Sequence, residues 1–223
     1  MRVLVFGTMY VDTMDKLQLL QHWIRINRVL NPTADLMLVD SASPMQLPPV
    51  DGLLVLNTGN NIGHLARGGQ DGWGRAFTSG LSHALALEYD YVVHIEGDSL
   101  FRWSVEPILR HMQKKGIGCL STTVQGTKRI ERGWAETGLM FFDVNEVASV
   151  VRKYDWQNGG PKRYPHCPEW HLYEIAQPHL APWRAERGDQ GQIRVEDVHM
   201  YDWITHVPPA VSNAFASSVV SFR

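Results

Sequence analysis

The sequence has few cysteines and no long apolar run. Its two cysteines, Cys119 and Cys167, cannot build a framework of several disulfides, which excludes a small disulfide-stapled domain and is consistent with a reducing cytoplasm. No segment approaches the roughly 18 consecutive apolar residues that a membrane-spanning helix needs, and the early run RVLVFG is too short for the core of a secretory signal. We therefore expect a soluble cytoplasmic chain, with peripheral contact to a membrane left open.

Net charge is also nearly absent. Lysine and arginine total 21 against 23 acidic residues, which gives a net charge of −2. This balance offers no electrostatic basis for a nucleic-acid partner, and any phosphate binding must be local. With 44% apolar and 10% aromatic residues, the chain of 223 residues can bury a substantial core. The length favours one large α/β domain over residues 1–223.

Short apolar runs alternate with amphipathic segments through residue 154. The apolar runs are bounded by Gly, Pro, Asn or Ser, as expected for strands, and the amphipathic segments have helical spacing. This alternation is typical of an α/β fold with a Rossmann-type, mostly parallel sheet flanked by helices. The second and third strands are expected to be buried. The predicted strands are 2–7, 36–40, 52–57, 91–95, 117–122 and 138–143, and the predicted helices are 15–30, 75–87, 105–115 and 144–154.

The character of the sequence changes after residue 154. Pro, Gly, Trp, His and Arg become frequent, and periodicity fades. The many large aromatic side chains argue against a disordered tail. We expect this segment to form an irregular but ordered C-terminal lid.

The most informative stretch is YVVHIEGDSLF, in which an apolar strand runs into two carboxylates spaced one residue apart. Glu96 and Asp98 therefore lie where the strand ends and a turn begins. Ligands of open α/β sheets bind beyond the carboxyl ends of the strands, and two hard oxygen ligands there suit Mg²⁺ or Mn²⁺ carrying a phosphorylated substrate. An isolated pair of this kind usually only starts a turn or caps a helix. The surrounding motifs favour the metal site.

Four motifs occur in order: VDSASP after the second strand, NTGNNIGH after the third, GWGRAFTSGLSHAL opening a helix, and HIEGDSLF at the next strand end. Together with ETGLMFFDVN, this order resembles the nucleotide-sugar-binding half of GT-A fold glycosyltransferases. The resemblance implies that residues 1–145 bind a nucleoside-diphosphate sugar and that residues 146–223 form an acceptor and lid region. It also implies that the acidic motif is the DxD metal site, with Glu96 in place of the first Asp.

The resemblance implies a metal-dependent glycosyltransferase that uses a nucleotide-sugar donor and Mn²⁺ or Mg²⁺. In glycosyl transfer a nucleoside diphosphate leaves, and a divalent ion bridging its phosphates stabilises the charge that develops. The base, the sugar and the stereochemical outcome stay open. The acceptor also stays open, whether it is a glycan, a lipid-linked sugar or a protein.

Several residues are candidates for donor binding. The resemblance implies that Asp40 meets the nucleobase or ribose, and a turn-forming role in DSASP is an equal alternative. Arg75 could pair with a diphosphate through its guanidinium or be solvated at a helix start. Glu96 could accept a hydrogen bond from a ribose hydroxyl or bind the metal through water. The NTGNNIGH loop can approach a ligand closely and offer amides to it, through Asn57, Asn60 and Gly63.

Metal sites of this type commonly need a third protein ligand, and the resemblance implies a late histidine. His206 and His199, both within VEDVHMYDWITHV, are the candidates. We prefer His206 because Pro208 and Pro209 fix the chain direction immediately after it. His199 is the alternative.

The acceptor side offers less specific signals. An inverting enzyme needs a general base near the acceptor hydroxyl, and the candidates are Glu136, Glu169 and Asp197. Tryptophans can stack on sugar rings, but each one is more typical of core packing. These tryptophans are Trp134, Trp170, Trp183 and Trp203. A zinc site at His166, Cys167 and His171 is disfavoured because no second cysteine pair accompanies it.

Two other functions compete with the transferase. A nucleotidyltransferase that makes sugar nucleotides shares this sheet architecture and acidic metal site. It is disfavoured because the loop FGTMYVDTMD contains no basic residue before Lys16, and a triphosphate would need one. The third hypothesis is a sugar- or nucleotide-binding module without catalytic activity.

Overall fold

The structure is a computed structural model that describes residues 1–45, 47, 49–61, 70–123, 135–154, 168–188 and 193–221. The strands in this part of the chain are β1 (Val3–Met9), β2 (Asp35–Asp40), β3 (Leu53–Asn57), β4 (Tyr91–Ile95), β5 (Ser99–Phe101), β6 (Cys119–Thr123), β7 (Leu139–Asp143), β8 (Leu180–Arg184), β9 (Arg187–Gly188) and β10 (Trp203–Thr205). The helices are α1 (Met14–Leu30), α2 (Gln70–Ala86), α3 (Glu106–Lys115), α4 (Val144–Lys153), α5 (Pro168–Ala176) and α6 (Pro209–Val220), and a 3-10 helix covers Val195–Met200.

The main sheet has seven strands in the order β3-β2-β1-β4-β7-β6-β8. Strands β3, β2, β1 and β4 are parallel to one another, β7 runs antiparallel to both β4 and β6, and β8 is parallel to β6. A separate three-stranded sheet joins β5, β10 and β9. The predicted α/β architecture with a mostly parallel sheet flanked by helices is confirmed.

The predicted strands and helices before residue 154 are all present, with bounds that differ by a few residues. The largest difference is α2, which begins at Gln70 rather than at Arg75. The expectation that the third strand is buried is wrong. Strand β3 is at the edge of the sheet, and its Leu54 and Val55 are 45% and 40% exposed. An apolar run does not by itself distinguish an edge strand from a central one.

The described residues after 154 correct the expectation of an irregular segment. Strand β8 extends the main sheet beside β6, and α6 is a helix of twelve residues that packs on α1. Strands β9 and β10 pair with β5 in the small sheet. The strands β8, β9 and β10 have only two to five residues each, and α6 mixes small apolar residues with serines, so none of these elements carries the clear period on which sequence patterns depend.

Alternating side chains of the central strands form two cores. Val5 of β1 packs with Trp23 of α1 and Phe215 of α6 on one face of the sheet. Phe6, the next residue, packs on the other face with Phe77 of α2 and Phe142 of β7. Successive side chains of a strand point to opposite faces, so a strand buried on both faces reads as one continuous apolar run.

Gly80 of α2 should be intolerant of a side chain. A Cβ atom at this position would overlap the ring of Phe6, which is fully buried. Alanine normally stabilises a helix interior by about 1 kcal/mol relative to glycine, but overpacking a core costs about 1–3 kcal/mol. We therefore expect Gly80→Ala to lower the free energy of unfolding measured in urea, whereas Ser82→Ala on the exposed side of α2 should change it by less than about 0.5 kcal/mol. Stabilisation by Gly80→Ala would contradict this packing.

The stability of the fold should also depend on His94 of β4. Burial lowers the pKa of this ring to about 3, from an ordinary value of 6.5. Below pH 6.5 the unfolded chain therefore binds a proton at His94 that the folded chain does not bind. The contribution of neutral, buried His94 to the free energy of unfolding is complete above pH 6.5 and is lost as the pH falls toward 3.

Urea unfolding at a series of pH values tests this contribution. Below the ordinary histidine pKa, we expect the free energy of unfolding of the wild type to fall more steeply than that of His94→Gln, with a difference that approaches about 1.4 kcal/mol per pH unit. Parallel curves for the two proteins would mean that His94 does not contribute to the pH dependence.

Candidate functional site

A cleft of about 590 Å³ lies at the carboxyl ends of β1 and β4. Its walls come from the loop after β1, the first turns of α2, the turn after β4, the residues before β7, the start of α5, and strands β9 and β10. In an open α/β sheet this edge is where ligands bind. The cleft therefore gathers residues that lie far apart in sequence.

The turn after β4 is held tightly against its neighbours. Glu96 N donates to Gly138 O at 3.0 Å, and Gly97 N donates to Thr8 O at 3.0 Å. A Cβ atom on Gly97 would lie 2.9 Å from Thr8 O and 3.0 Å from the Cβ of Met9. Glycine between the two acidic residues thus allows the turn to dock on β1.

Three side chains in the cleft form a cluster that could hold a metal ion. Ligand atoms of Glu96, Asp98 and His206 all lie within 4.8 Å of one another, and Nδ1 of His206 is 2.9 Å from Oδ2 of Asp98. The other carboxylate oxygen of Asp98, Oδ1, is buried and has no hydrogen-bond partner in the described part of the chain. Two carboxylates and an imidazole with an unsatisfied oxygen fit a divalent cation such as Mn²⁺.

Pairing between β5 and β10 carries His206 to the acidic turn. Ser99 lies opposite Thr205 in this ladder, and Ser99 Oγ donates to Thr205 Oγ1 at 3.0 Å. The residues that flank this pair are Asp98 and His206, so their side chains meet just beyond the ladder. His206 has a φ of 51°, in the left-handed region that few non-glycine residues adopt.

Glu96 is in a strongly anionic environment. Burial, together with repulsion from Asp98 and Glu136, raises the pKa of Glu96 to about 8. Trp73 of α2 donates from Nε1 to Glu96 Oε1 at 2.7 Å, which holds the carboxylate in place. A cation at this position would relieve the same repulsion that a proton relieves.

His94 connects two segments that line the cleft. Its Nδ1 lies 2.9 Å from Thr137 O, and its Nε2 lies 3.3 Å from Thr8 Oγ1. A neutral ring that donates from Nδ1 and accepts at Nε2 satisfies both contacts. The ring thereby links β1 to the segment that enters β7.

Two of the three candidate bases line the cleft. Glu136 is buried, and its Oε2 accepts from Arg187 Nη1 at 2.6 Å. Glu169 lies in the first turn of α5 and also faces the cleft. Asp197 lies on the 3-10 helix and is not among the described residues that line the cleft.

His199 does not join His206 in the cluster. Its Nδ1 lies 2.9 Å from Glu196 O, and its own carbonyl accepts from Arg102 Nη1 at 3.2 Å. The side chain is exposed on the 3-10 helix. The sequence offered two histidines, and the structure brings only His206 to the acidic turn.

The candidate donor-binding residues outside the acidic turn hold loops together. Asp40 is 3% exposed and accepts from Ser43 N at 3.0 Å and from Asn57 Nδ2 at 2.8 Å. Arg75 donates to Asn60 Oδ1 at 2.6 Å and to Thr58 O at 2.8 Å. Among the described residues, those that line the cleft do not include Asp40, Asn57, Asn60 or Arg75, and Gly63 lies outside the described residues.

The tryptophans and the candidate zinc ligands lie in different parts of the structure. Trp203 lines the cleft, whereas Trp183 packs edge-on against Phe101 and Phe141 in the core. Trp170 lies on α5 away from the cleft lining, and His171 is buried and stacks on Tyr154 at 4.5 Å. Trp134, His166 and Cys167 lie outside the described residues.

Sequence reasoning missed Arg187 and Trp73 as cleft residues. Arg187 lies in a two-residue strand within a segment that has no period, so no pattern marked it. Trp73 lies inside the GWGR motif, but only the pairing of its indole with Glu96 makes it part of the site. A tryptophan in an amphipathic helix is ordinarily core, and sequence alone carries no signal for this contact.

No protein-family model matches the chain, and no curated protein does either. Solved structures do match. The S. aureus TarS fragment is 11% identical with a TM-score of 0.55, and the match covers 82% of this chain and 58% of that one. A mannosyltransferase from Pyrobaculum calidifontis, solved with GDP-Man and Mn²⁺, is 14% identical with a TM-score of 0.51, covering 82% of this chain and 54% of that one.

A putative glucose-1-phosphate thymidylyltransferase from Bacillus anthracis, solved with a sucrose, is 10% identical with a TM-score of 0.55. That match covers 98% of this chain and 95% of the other. Every helix in the described part of the chain is too short or too polar to cross a membrane. At these identities the likeness is one of fold, and the chain spans little more than half the length of the TarS fragment and of the mannosyltransferase. The chain has the fold of GT-A-type nucleotide-sugar glycosyltransferases.

Proposed function

We propose that the protein is a metal-dependent glycosyltransferase, which moves a sugar from a nucleoside-diphosphate sugar to an acceptor hydroxyl. The observation that carries this proposal is the cluster of Glu96, Asp98 and His206 at the carboxyl end of β4, in a cleft of a GT-A-like fold. A mannosyltransferase of this fold was solved with GDP-Man and Mn²⁺, and S. aureus TarS was solved with UDP. These ligands support a nucleotide-sugar donor for the present chain.

Glu96, Asp98 and His206 would hold Mn²⁺ or Mg²⁺ together with the donor diphosphate. When bound, the cation supplies electrostatic stabilisation for the negative charge of the leaving nucleoside diphosphate. The indole of Trp73 keeps Glu96 oriented toward this position. The residues from 95 to 99 are fixed by hydrogen bonds to β1 and to Gly138, so the ligands are held in place before the donor binds.

Glu169 is the carboxylate that we propose as general base for an inverting reaction. Asp98 and Glu96 belong to the metal cluster, Glu136 is paired with Arg187, and Asp197 lies outside the cleft lining. Glu169 lies in the first turn of α5 and lines the cleft. In the reaction the acceptor oxygen bonds to the anomeric carbon, its proton passes to Glu169, and the bond to the diphosphate oxygen breaks.

A nucleotidyltransferase remains the second candidate because the thymidylyltransferase match covers nearly the whole of both chains. Against it, Lys16 is the first basic residue after β1, and its Nζ lies 2.7 Å from Asp12 Oδ1. The products separate the two activities. Release of UDP or GDP from a nucleotide sugar supports glycosyl transfer, whereas pyrophosphate formed from a nucleoside triphosphate and a sugar 1-phosphate supports the alternative. Binding without either product would indicate a non-catalytic module.

Metal-dependent nucleotide binding should require Asp98 and His206 but not His199. We expect Asp98→Asn and His206→Ala each to weaken the Mn²⁺-dependent binding of UDP or GDP by about tenfold or more, because a charged or imidazole ligand is lost. His199→Ala is the matched control and should bind like the wild type. Isothermal titration with UDP, GDP and CMP, with and without Mn²⁺, measures the effect, and thermal unfolding checks that each variant is folded.

Unchanged Mn²⁺-dependent affinity in Asp98→Asn would rule out the metal assignment. A loss in His199→Ala that equals the loss in His206→Ala would show that the cluster geometry does not determine binding. Glu96→Gln should be milder than Asp98→Asn if Glu96 acts through a ribose hydroxyl or a metal-bound water. An equal loss would make both of them direct ligands.

Replacing Glu169 should slow chemistry without weakening nucleotide binding. Loss of a general base typically costs about 10²–10⁴ in rate, so we expect Glu169→Gln to lower kcat for nucleotide-sugar hydrolysis, in which water is the acceptor, by about that factor. Asp197→Asn is the matched control and should retain the wild-type rate. A normal kcat in Glu169→Gln, or an equal loss in Asp197→Asn, would contradict the assignment.

A further inference from the structure

A buried ion pair forms part of the cleft wall beside the acidic turn. Arg187 Nη1 donates to Glu136 Oε2 at 2.6 Å, and the two side chains are only 11% and 7% exposed. Both residues line the cleft. They come from distant parts of the chain, since Glu136 precedes β7 and Arg187 begins β9. The pair is therefore a product of tertiary structure.

An aromatic plane completes this wall. The guanidinium of Arg187 lies 5.0 Å from the ring centre of Trp203, which is 1% exposed and lines the cleft. The indole Nε1 of Trp203 is buried and has no hydrogen-bond partner among the described residues, so a ligand oxygen could satisfy it. A Cβ atom on Gly138 would lie 2.8 Å from the Trp203 ring. Glycine at 138 therefore lets the ring approach this wall.

The ion pair suits Glu136 for binding hydroxyl groups and not for accepting a proton. An ionised carboxylate only accepts hydrogen bonds, and sugar hydroxyls donate them. Protonating Glu136 would remove the 2.6 Å counter-ion of a buried guanidinium, and a buried charge that loses its counter-ion is strongly disfavoured. The second oxygen, Oε1, lies 3.5 Å from Gly138 N, at the outer limit of a hydrogen bond.

We propose that Arg187 is a positioning residue that holds Glu136 as a fixed, ionised acceptor for the hydroxyl groups of the donor sugar, and so determines which sugar the cleft selects. This inference rests on the proposed glycosyltransferase function. The carboxylate of Glu136 supplies an acceptor for hydroxyl groups, and the indole N–H of Trp203 supplies a donor. Epimers of a sugar differ in where their hydroxyl groups meet such an acceptor and donor. A site built to hydrogen-bond a hydroxyl discriminates strongly against a ligand that misplaces it.

Binding measurements with matched nucleotides separate sugar recognition from nucleotide recognition. The probes are UDP, UDP-glucose and UDP-galactose, together with GDP, GDP-mannose and GDP-glucose, all with Mn²⁺. The variants are Glu136→Gln, Arg187→Met and Arg187→Lys, and the control is Arg184→Met, which removes an exposed arginine that lies 3.6 Å from Glu186. Thermal unfolding shows which variants are folded.

We expect Glu136→Gln and Arg187→Met to reduce the preference between epimeric nucleotide sugars by at least about fivefold, with the affinity for the nucleoside diphosphate alone within about twofold of the wild type. Arg187→Lys should fall between these variants and the wild type, because it keeps the charge but not the planar fork. Arg184→Met should match the wild type. In hydrolysis, Glu136→Gln should raise KM more than it lowers kcat, the reverse of the effect expected for Glu169→Gln.

Three results would overturn the inference. If Glu136→Gln or Arg187→Lys keeps the wild-type sugar preference, the ion pair does not determine sugar selection. These two conservative variants test the inference even if Arg187→Met fails to fold. If the affinity for UDP or GDP alone falls as much as the affinity for the nucleotide sugar, the pair has only a structural role. If the wild type binds none of the probes in Mn²⁺, the proposed function itself fails. Binding with an unchanged preference defeats the inference alone.

Discussion

In the small sheet, Ser99, Leu100 and Phe101 of β5 pair antiparallel with Thr205, Ile204 and Trp203 of β10. The candidate site depends on this ladder more than on any other contact. One end of it brings His206 beside Asp98, and the other end carries Trp203 to the wall that contains Arg187. Antiparallel pairing relates residues of the two strands in opposite order, so one register determines both positions.

The charge distribution of the cleft follows from this convergence. Burial has the largest effect on the pKa of Glu96 and raises it. Repulsion from the nearby carboxylates of Asp98 and Glu136 raises it further. Arg187 offsets the charge at Glu136, and His206 faces Asp98. The acidic turn carries the remaining negative charge of the cleft. A cation bound there would reduce the repulsion between its carboxylates.

Several polar residues that we predict to bind the donor also hold loops together near the strand ends. Asp40 and Asn57 join β2 to β3, and Arg75 joins the start of α2 to the loop after β3. These contacts satisfy polar groups at the edge of the sheet, where loops turn away from the ladder and lose their backbone partners. Their residue types are the same as those of a nucleotide site, which is why the sequence alone could not separate the two roles.

Local patterns in the sequence determined much of the fold. Continuous apolar runs such as VLVF and YVVHI specify strands buried on both faces, and amphipathic segments specify α1 and α4, because these preferences arise within a few residues. The Glu96-Gly97-Asp98 motif also marked the strand exit at which the cleft lies. The edge position of β3, the joining of β8 to the main sheet and the β5–β10 ladder depend on partners far away in sequence. Only the tertiary structure decided that His206 and not His199 meets Asp98, and that Arg187 meets Glu136, because such contacts depend on strand register, and no local preference encodes the register between distant segments.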